Sequence, residues 1–206
     1  MTTATRAPLV HSYLYLRRAI GLIGLALPVV LILGKQLAQG GDLIGSLSGY
    51  YYTDLGNVFV GAMCAAGVFL LAYYGHDFID NVASTVAGLG AIGLALFPTT
   101  PDHDATSWQR TSGVLHLVFA AAFFLMLAYF CLRLFPHDGE QPPGTGVVYR
   151  GCGVVILAAL VLIAVTSRLR LVPDWHPALW LESAAVWAFG VAWLVKGQTL
   201  TPKSVP

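Results

Sequence analysis

Apolar runs of about 20 residues, the length that carries an α-helix across the hydrocarbon of a bilayer, recur along this chain. TSGVLHLVFAAAFFLMLAYF, from Thr111 to Phe130, is the clearest of them. Residues of the AVILMFWYC set make up 57% of the 206, and Asp, Glu, Lys and Arg only 10%. A soluble domain carries about a quarter charged residues, so the expected class is all-α: a polytopic membrane protein. The formal net charge of +1 supplies no basic patch for phosphates, which argues against nucleic acid as a partner.

Six spans are expected, forming one domain over residues 1–206. They run from about Leu16 to Leu33 with Pro28 inside, Asn57 to Tyr74, Val82 to Phe97 before Pro98, Thr111 to Leu134, Gly151 to Ser167, and Ala178 to Val195. Arg17 and Arg18 lead into a run long enough to span, with no small-residue cleavage pattern, so a cleaved signal is not expected. Basic residues set orientation. With the N-terminus inside, Arg6, Arg17, Arg18, Arg133, Arg150, Lys196 and Lys203 fall on the cytoplasmic side and Lys35, Arg110, Arg168 and Arg170 outside, 7 of the 11 against 4. Both termini are therefore expected in the cytoplasm. The expected location is the bacterial inner membrane.

The longest outer loop, Gly34 to Gly56, contains SLSGYYYTD, whose tyrosines suit the headgroup zone. The inner loop from Pro136 to Gly146, rich in Pro and Gly, reads as a connector. Cys64, Cys131 and Cys152 are odd in number, show no CxxC spacing and read as small packing residues. Gly88-Leu-Gly-Ala-Ile-Gly93 matches the GxGxxG of dinucleotide-binding folds. That motif needs a preceding strand and a helix N-terminus aimed at pyrophosphate. Inside a span its glycines instead permit close helix approach. Trp175 and Trp193 read as interface belts, and Trp180 and Trp187 as core or lipid-facing.

Two ionisable side chains lie inside spans, His116 near the start of the fourth and Glu182 near the start of the sixth. Each is about four residues in, or roughly 6 Å at helical rise, and both spans start on the outer side. Ionisable groups in a span usually face the bundle interior or a watery cavity. Ser112 lies at i−4 from His116 and shares its face. Asp54 and Asn57 mark the outer entrance of the second span. The expected ligand-binding set is Asp54, Asn57, Ser112, His116 and Glu182, around an outward-facing polar pocket. The bland alternative is a His–Glu pair that locks two helices. His103 and His176 lie on the same outer side, flanked by Asp102, Asp104 and Asp174.

SLSGYYYTD, VFVGAMCAAGVFLLAYY, GLGAIGLALFP, GVLHLVFAAAFF and WLESAAVWAFG, in that order, resemble the FRAG/DRAM/Sfk-type six-helix membrane proteins and their bacterial relatives. The resemblance covers the chain from about Ser46 onward. It implies a role in lipid handling (membrane asymmetry, anchor remodelling, autophagy-associated membranes) and brings no agreed enzyme chemistry. The family's acidic loop, span-four histidine and last-span glutamate fall on Asp54, His116 and Glu182; the Tyr-rich SGYYYTD departs from the eukaryotic pattern. Ser112-x-x-x-His116 is also similar to the SxxxH spacing of the ceramidase/adiponectin-receptor superfamily of zinc hydrolases, which needs an HxxxH pair that is absent here.

The leading expectation is thus a protein that binds a lipid headgroup or similar amphiphile, with membrane lipids as partners and no cofactor. One rival is a metal-dependent lipid hydrolase, whose zinc would take Asp54, His116 and Glu182 as its three protein ligands. Another is an accessory subunit of a larger membrane complex, with haem or chlorin on His116; a single in-span histidine disfavours a bis-histidine haem.

Overall fold

The computed structural model describes residues 6–73, 75, 77–101, 103–137, 142–169 and 175–198, with side chains from residue 14 onward. His76, Asp102, Arg170, Asp174 and Lys203, which entered the charge and loop readings, lie outside the described residues, as do the side chains of Arg6 and His11. The described elements are all helical: α1 (Arg6–Ala38), a 3₁₀ turn (Ser48–Tyr52), α2 (Gly56–Leu71), α3 (Phe78–Leu96), α4 (Ser107–His137), α5 (Thr145–Leu169) and α6 (Pro177–Gln198). All but α2 of the six helices are long and apolar enough to cross a membrane, the build of an integral membrane protein. The 16 residues of α2 reach about 24 Å at helical rise, short of the roughly 30 Å hydrocarbon.

Helix ends differ from the apolar runs because apolarity marks the hydrocarbon, whereas a helix propagates until a breaker or cap stops it. Thus α1 begins about ten residues before its apolar run and α4 starts at Ser107. At the start of α4 a capping box settles the boundary: Gln109 N donates to Thr106 Oγ1 and Thr106 N to Gln109 Oε1, at 3.2 and 2.8 Å. α3 stops where it must, before Pro98, whose ring forces the preceding residue out of the helical region. Near its far end α4 widens into a π turn over Phe130–Leu134.

Each helix packs on its neighbours in sequence and α6 returns to α1, closing a ring. The ring has two tight trios, α5–α6–α1 and α2–α3–α4; between them α1–α2 packs more loosely, and α4–α5 packs loosely along Ser107–Tyr129 but closely at residues 130–137. Glycine makes the tight contacts. A Cβ on Gly24 of α1 would lie 3.1 Å from the Cα of Gly190 in α6. The same construction on Gly88 meets Gly67 O of α2 at 2.8 Å, and on Gly90 meets Phe123 N of α4 at 3.0 Å. The Gly-rich stretch of α3 therefore turns one glycine to α2 and another to α4, and both contacts need the missing side chain.

The two trios are fastened to each other at one end. Trp193 of α6 is fully buried, and the rings of Tyr73, Phe130, Phe135 and Phe189 surround it at 5.0–5.8 Å. This corrects the belt reading of Trp193: helical phase turns it inward, toward aromatic residues contributed by α4 and the end of α2, whereas Trp175 is 77% exposed. Arg17 and Lys196 are buried in the same cluster. Arg17 Nη2 donates to Tyr73 Oη at 3.1 Å, and Lys196 Nζ to Phe135 O at 3.3 Å while lying 5.7 Å over the Phe135 ring. Pro28 withdraws an N–H from the middle of α1, and beside that gap Trp187 Nε1 donates to Leu25 O at 3.2 Å.

Candidate functional site

At the opposite end of the ring the packing is polar, and its origin can be followed from Pro98. In a continuing helix the N–H of residue 98 would bond the carbonyl of residue 94; proline has none. The imidazole of His116 fills the role: Nδ1 lies 3.0 Å from Leu94 O and 2.8 Å from Phe97 O. Carbonyls only accept, so Nδ1 carries the proton. One turn earlier, Ser112 Oγ donates to Pro98 O at 3.0 Å. Ser112 and His116 share a face, as their spacing requires, and that face closes the end of α3.

Glu182 has a comparable structural task. Its Oε2 accepts from Leu47 N at 2.7 Å and Ser48 N at 3.3 Å, the first amides of the 3₁₀ turn, which have no partner within the turn. Leu179 N adds a bond to Gly45 O at 3.1 Å. The segment before α2 is thus tied down onto the start of α6, with Leu47 and Tyr50 buried.

Each group is left with one atom unused. His116 Nε2 and Glu182 Oε1 take no hydrogen bond from the described residues, and no ion pair joins the two side chains. His116 belongs to the α2–α3–α4 trio and Glu182 to the other, and both line the same space between them. A cavity of about 40 Å³, enclosed mainly by Leu27, Phe59, Met63, Phe123 and Val186, touches both side chains. A groove of about 480 Å³ also touches both, and runs along the α4–α5 seam past Leu117, Ala121, Leu160, Ile163 and Ala164. Ser46, Thr99 and Ala178 are shared between that groove and a vestibule of about 550 Å³ lined by Gly49, Tyr52, Thr100 and His103. Across the vestibule, Tyr52 Oη donates to Thr99 O at 2.7 Å.

The expected site residues divide accordingly. His116 and Glu182 are brought to one cavity. Ser112 is buried against Pro98 and does not line it. Asp54 and Asn57 line a separate surface pocket with Tyr51, Val60 and Leu96; the 3₁₀ turn carries the chain away from Glu182 to the α2–α3 side before Asp54 is reached. Asp54, His116 and Glu182 are therefore not assembled as a ligand set, and no group of three His, Cys, Asp or Glu side chains fit to hold a metal ion occurs among the described residues.

No family model, curated protein or solved structure matches this chain. The likeness to FRAG/DRAM/Sfk-type proteins rests on the sequence pattern alone. The groups that pattern overlooks are backbone and small hydroxyl ones: the Leu47 and Ser48 amides, Ser46, Ser48 and Thr99. Pro98 four residues after Leu94 was the available sign that a donor from α4 would be wanted there.

Proposed function

We propose that this chain is a six-span protein of the bacterial inner membrane, with both termini in the cytoplasm and the His116 end facing out, and that it binds a lipid headgroup or similar amphiphile. In this reading α2 crosses with a thinned bilayer or with help from its polar flanks, since mismatch of a few ångströms is tolerated. The basic residues Arg17 and Lys196 sit at the Trp193 end, as an inside location for that end requires. The polar head enters between His116 and Glu182, and its hydrocarbon lies along the α4–α5 seam.

One observation carries the proposal: a single groove combines two ionisable side chains at its inner wall with apolar walls from α4 and α5. Amphiphile sites have this division, predominantly apolar with a few placed polar groups. Along Ser107–Tyr129 the seam also packs loosely, so a chain can enter from the side without crossing the bundle. The lipid-handling roles that the FRAG/DRAM/Sfk-type resemblance implies point the same way.

The test is lipid carried through purification, read by native mass spectrometry. Ala164→Trp fills the groove from α5 without touching His116 or Glu182, and His116→Ala and Glu182→Ala remove the polar wall. Loss of bound lipid is expected in all three. Lipid retained at wild-type occupancy in all three would refute the proposal.

A further inference from the structure

We infer that the headgroup taken by this site is a hydrogen-bond donor, an amine in preference to a phosphate or carboxylate. The inference rests on the proposed use of the groove by an amphiphile and specifies which one.

The argument begins with what the protein's own bonds leave over. Because His116 Nδ1 donates to Leu94 O and Phe97 O, the neutral ring presents Nε2 to the cavity as a bare acceptor. Because Glu182 Oε2 is occupied by two amides, the oxygen left for a ligand is Oε1, also an acceptor while the carboxylate is ionised. Two acceptors from opposite halves of the ring thus border one space. An ammonium carries three N–H donors and can satisfy both, with a third left for the Ser48 hydroxyl, which borders the same cavity and groove.

The surroundings lack what an anion would need. No Lys or Arg lines the cavity, the groove or the vestibule among the described residues. Of the basic groups of that end, Lys35 Nζ donates to Gly40 O and Asp42 O, Arg110 Nε donates to Ala105 O at 3.3 Å, and Arg168, next to Ser167, is exposed and not among the groove's lining residues. The Leu47 and Ser48 amides, the natural donors for a phosphate oxygen, are taken by Glu182. A phosphate head would bring negative charge to a carboxylate with no cation between them, a repulsion that low dielectric enlarges. Specificity of this kind arises as much from the excluded partner as from the accepted one.

The full chain in phosphatidylcholine nanodiscs is titrated with dodecylamine, 1-dodecanol and dodecyl phosphate at neutral pH, with thermal stabilisation as the readout and Ala164→Trp as the blank for partition into the bilayer. Dodecylamine is expected to half-saturate at a concentration at least tenfold below that of dodecyl phosphate, with dodecanol between. Glu182→Gln, which keeps an acceptor for the loop amides, is expected to weaken the amine by about ten- to a hundredfold, the loss of one charge-assisted bond, and to remove the preference. If chains bind in a manner that Ala164→Trp abolishes, but phosphate is preferred or Glu182→Gln leaves the amine unchanged, the donor inference is overturned and the amphiphile groove stands. If no probe binds in a groove-dependent way, both fail. Should Glu182→Gln not fold, Ala178→Lys places a cation where groove and vestibule meet. Reversal of the order toward dodecyl phosphate then supports the inference, and an unchanged order overturns it.

Discussion

His116 does two things through two nitrogens, and substitution can separate them. Nδ1 closes the end of α3; Nε2 faces the cavity. His116→Leu keeps the volume but strands Leu94 O, which is buried and cannot turn to Pro98 for a donor. An orphaned buried acceptor costs about 1–3 kcal/mol. Phe97 O is only partly buried and can bond water, so the total should stay near about 2 kcal/mol. His116→Asn places an amide N–H close to the position of Nδ1 and should stay within about 1 kcal/mol of wild type, since the lost bond is replaced. Both variants lack Nε2 and should lose the amphiphile alike. Unfolding in mixed micelles by increasing dodecyl sulfate, followed by tryptophan fluorescence, measures the first quantity, and bound lipid measures the second. Pro98→Ala supplies the cross-check. In the His116→Leu background it returns an N–H to the vacant carbonyl and should recover about 1 kcal/mol; with His116 intact there is no vacancy to fill, so the two changes should be non-additive. If Asn destabilises as much as Leu, or if the Pro98 and His116 effects simply add, the capping argument is wrong.

Three further outcomes follow from other parts of the ring. Gly190→Leu should force α6 off α1, because a Cβ there already meets Gly21 O at 2.9 Å; the monodisperse fraction on size exclusion should collapse, whereas Gly151→Ala, with nothing within 4 Å of its Cβ, should stabilise by about 0.5–1 kcal/mol. Trp193→Ala removes the side chain that fastens the two trios and should cost about 3–5 kcal/mol in the same micelle titration; a loss under about 1 kcal/mol would return Trp193 to the belt. Glu182→Ala releases the Leu47 and Ser48 amides, so limited proteolysis should cut between residues 41 and 55 faster than in wild type, and an unchanged rate would mean that the clamp is dispensable.

Helical class and the approximate positions of the helices were legible because they depend on one-dimensional quantities, apolar length and proline position. The end of α3 before Pro98 and the packing role of Gly88 and Gly90 were readable for that reason. What a sequence cannot give is the angular phase at which each helix meets its neighbours. Trp193 and Lys196 sit near the C-terminal end of α6 and read as surface residues; three residues apart, they share a face, and the fold turns that face inward. Asp54 failed to join His116 and Glu182 for a related reason. The sequence put all three on the same outer side, but position around the ring separates them, and the 3₁₀ turn before Asp54 has no periodic signal.

The distribution of polarity then follows from the two seams. A ring of six helices made of two tight trios must hold its trios together somewhere, and the Trp193 cluster does so with area and aromatic contacts. At the other end His116 repairs a proline break within its own trio and Glu182 ties the loop before α2 onto α6, both through hydrogen bonds that use half of each side chain. Neither set of bonds spans the α4–α5 seam. A groove survives there, and its inner wall is lined by the unused halves of His116 and Glu182. His116 and Glu182 do not pair with each other, but their backbone hydrogen bonds and ligand binding are not competing accounts of them: the first, by fixing Nδ1 and Oε2, determines which atoms remain for the second.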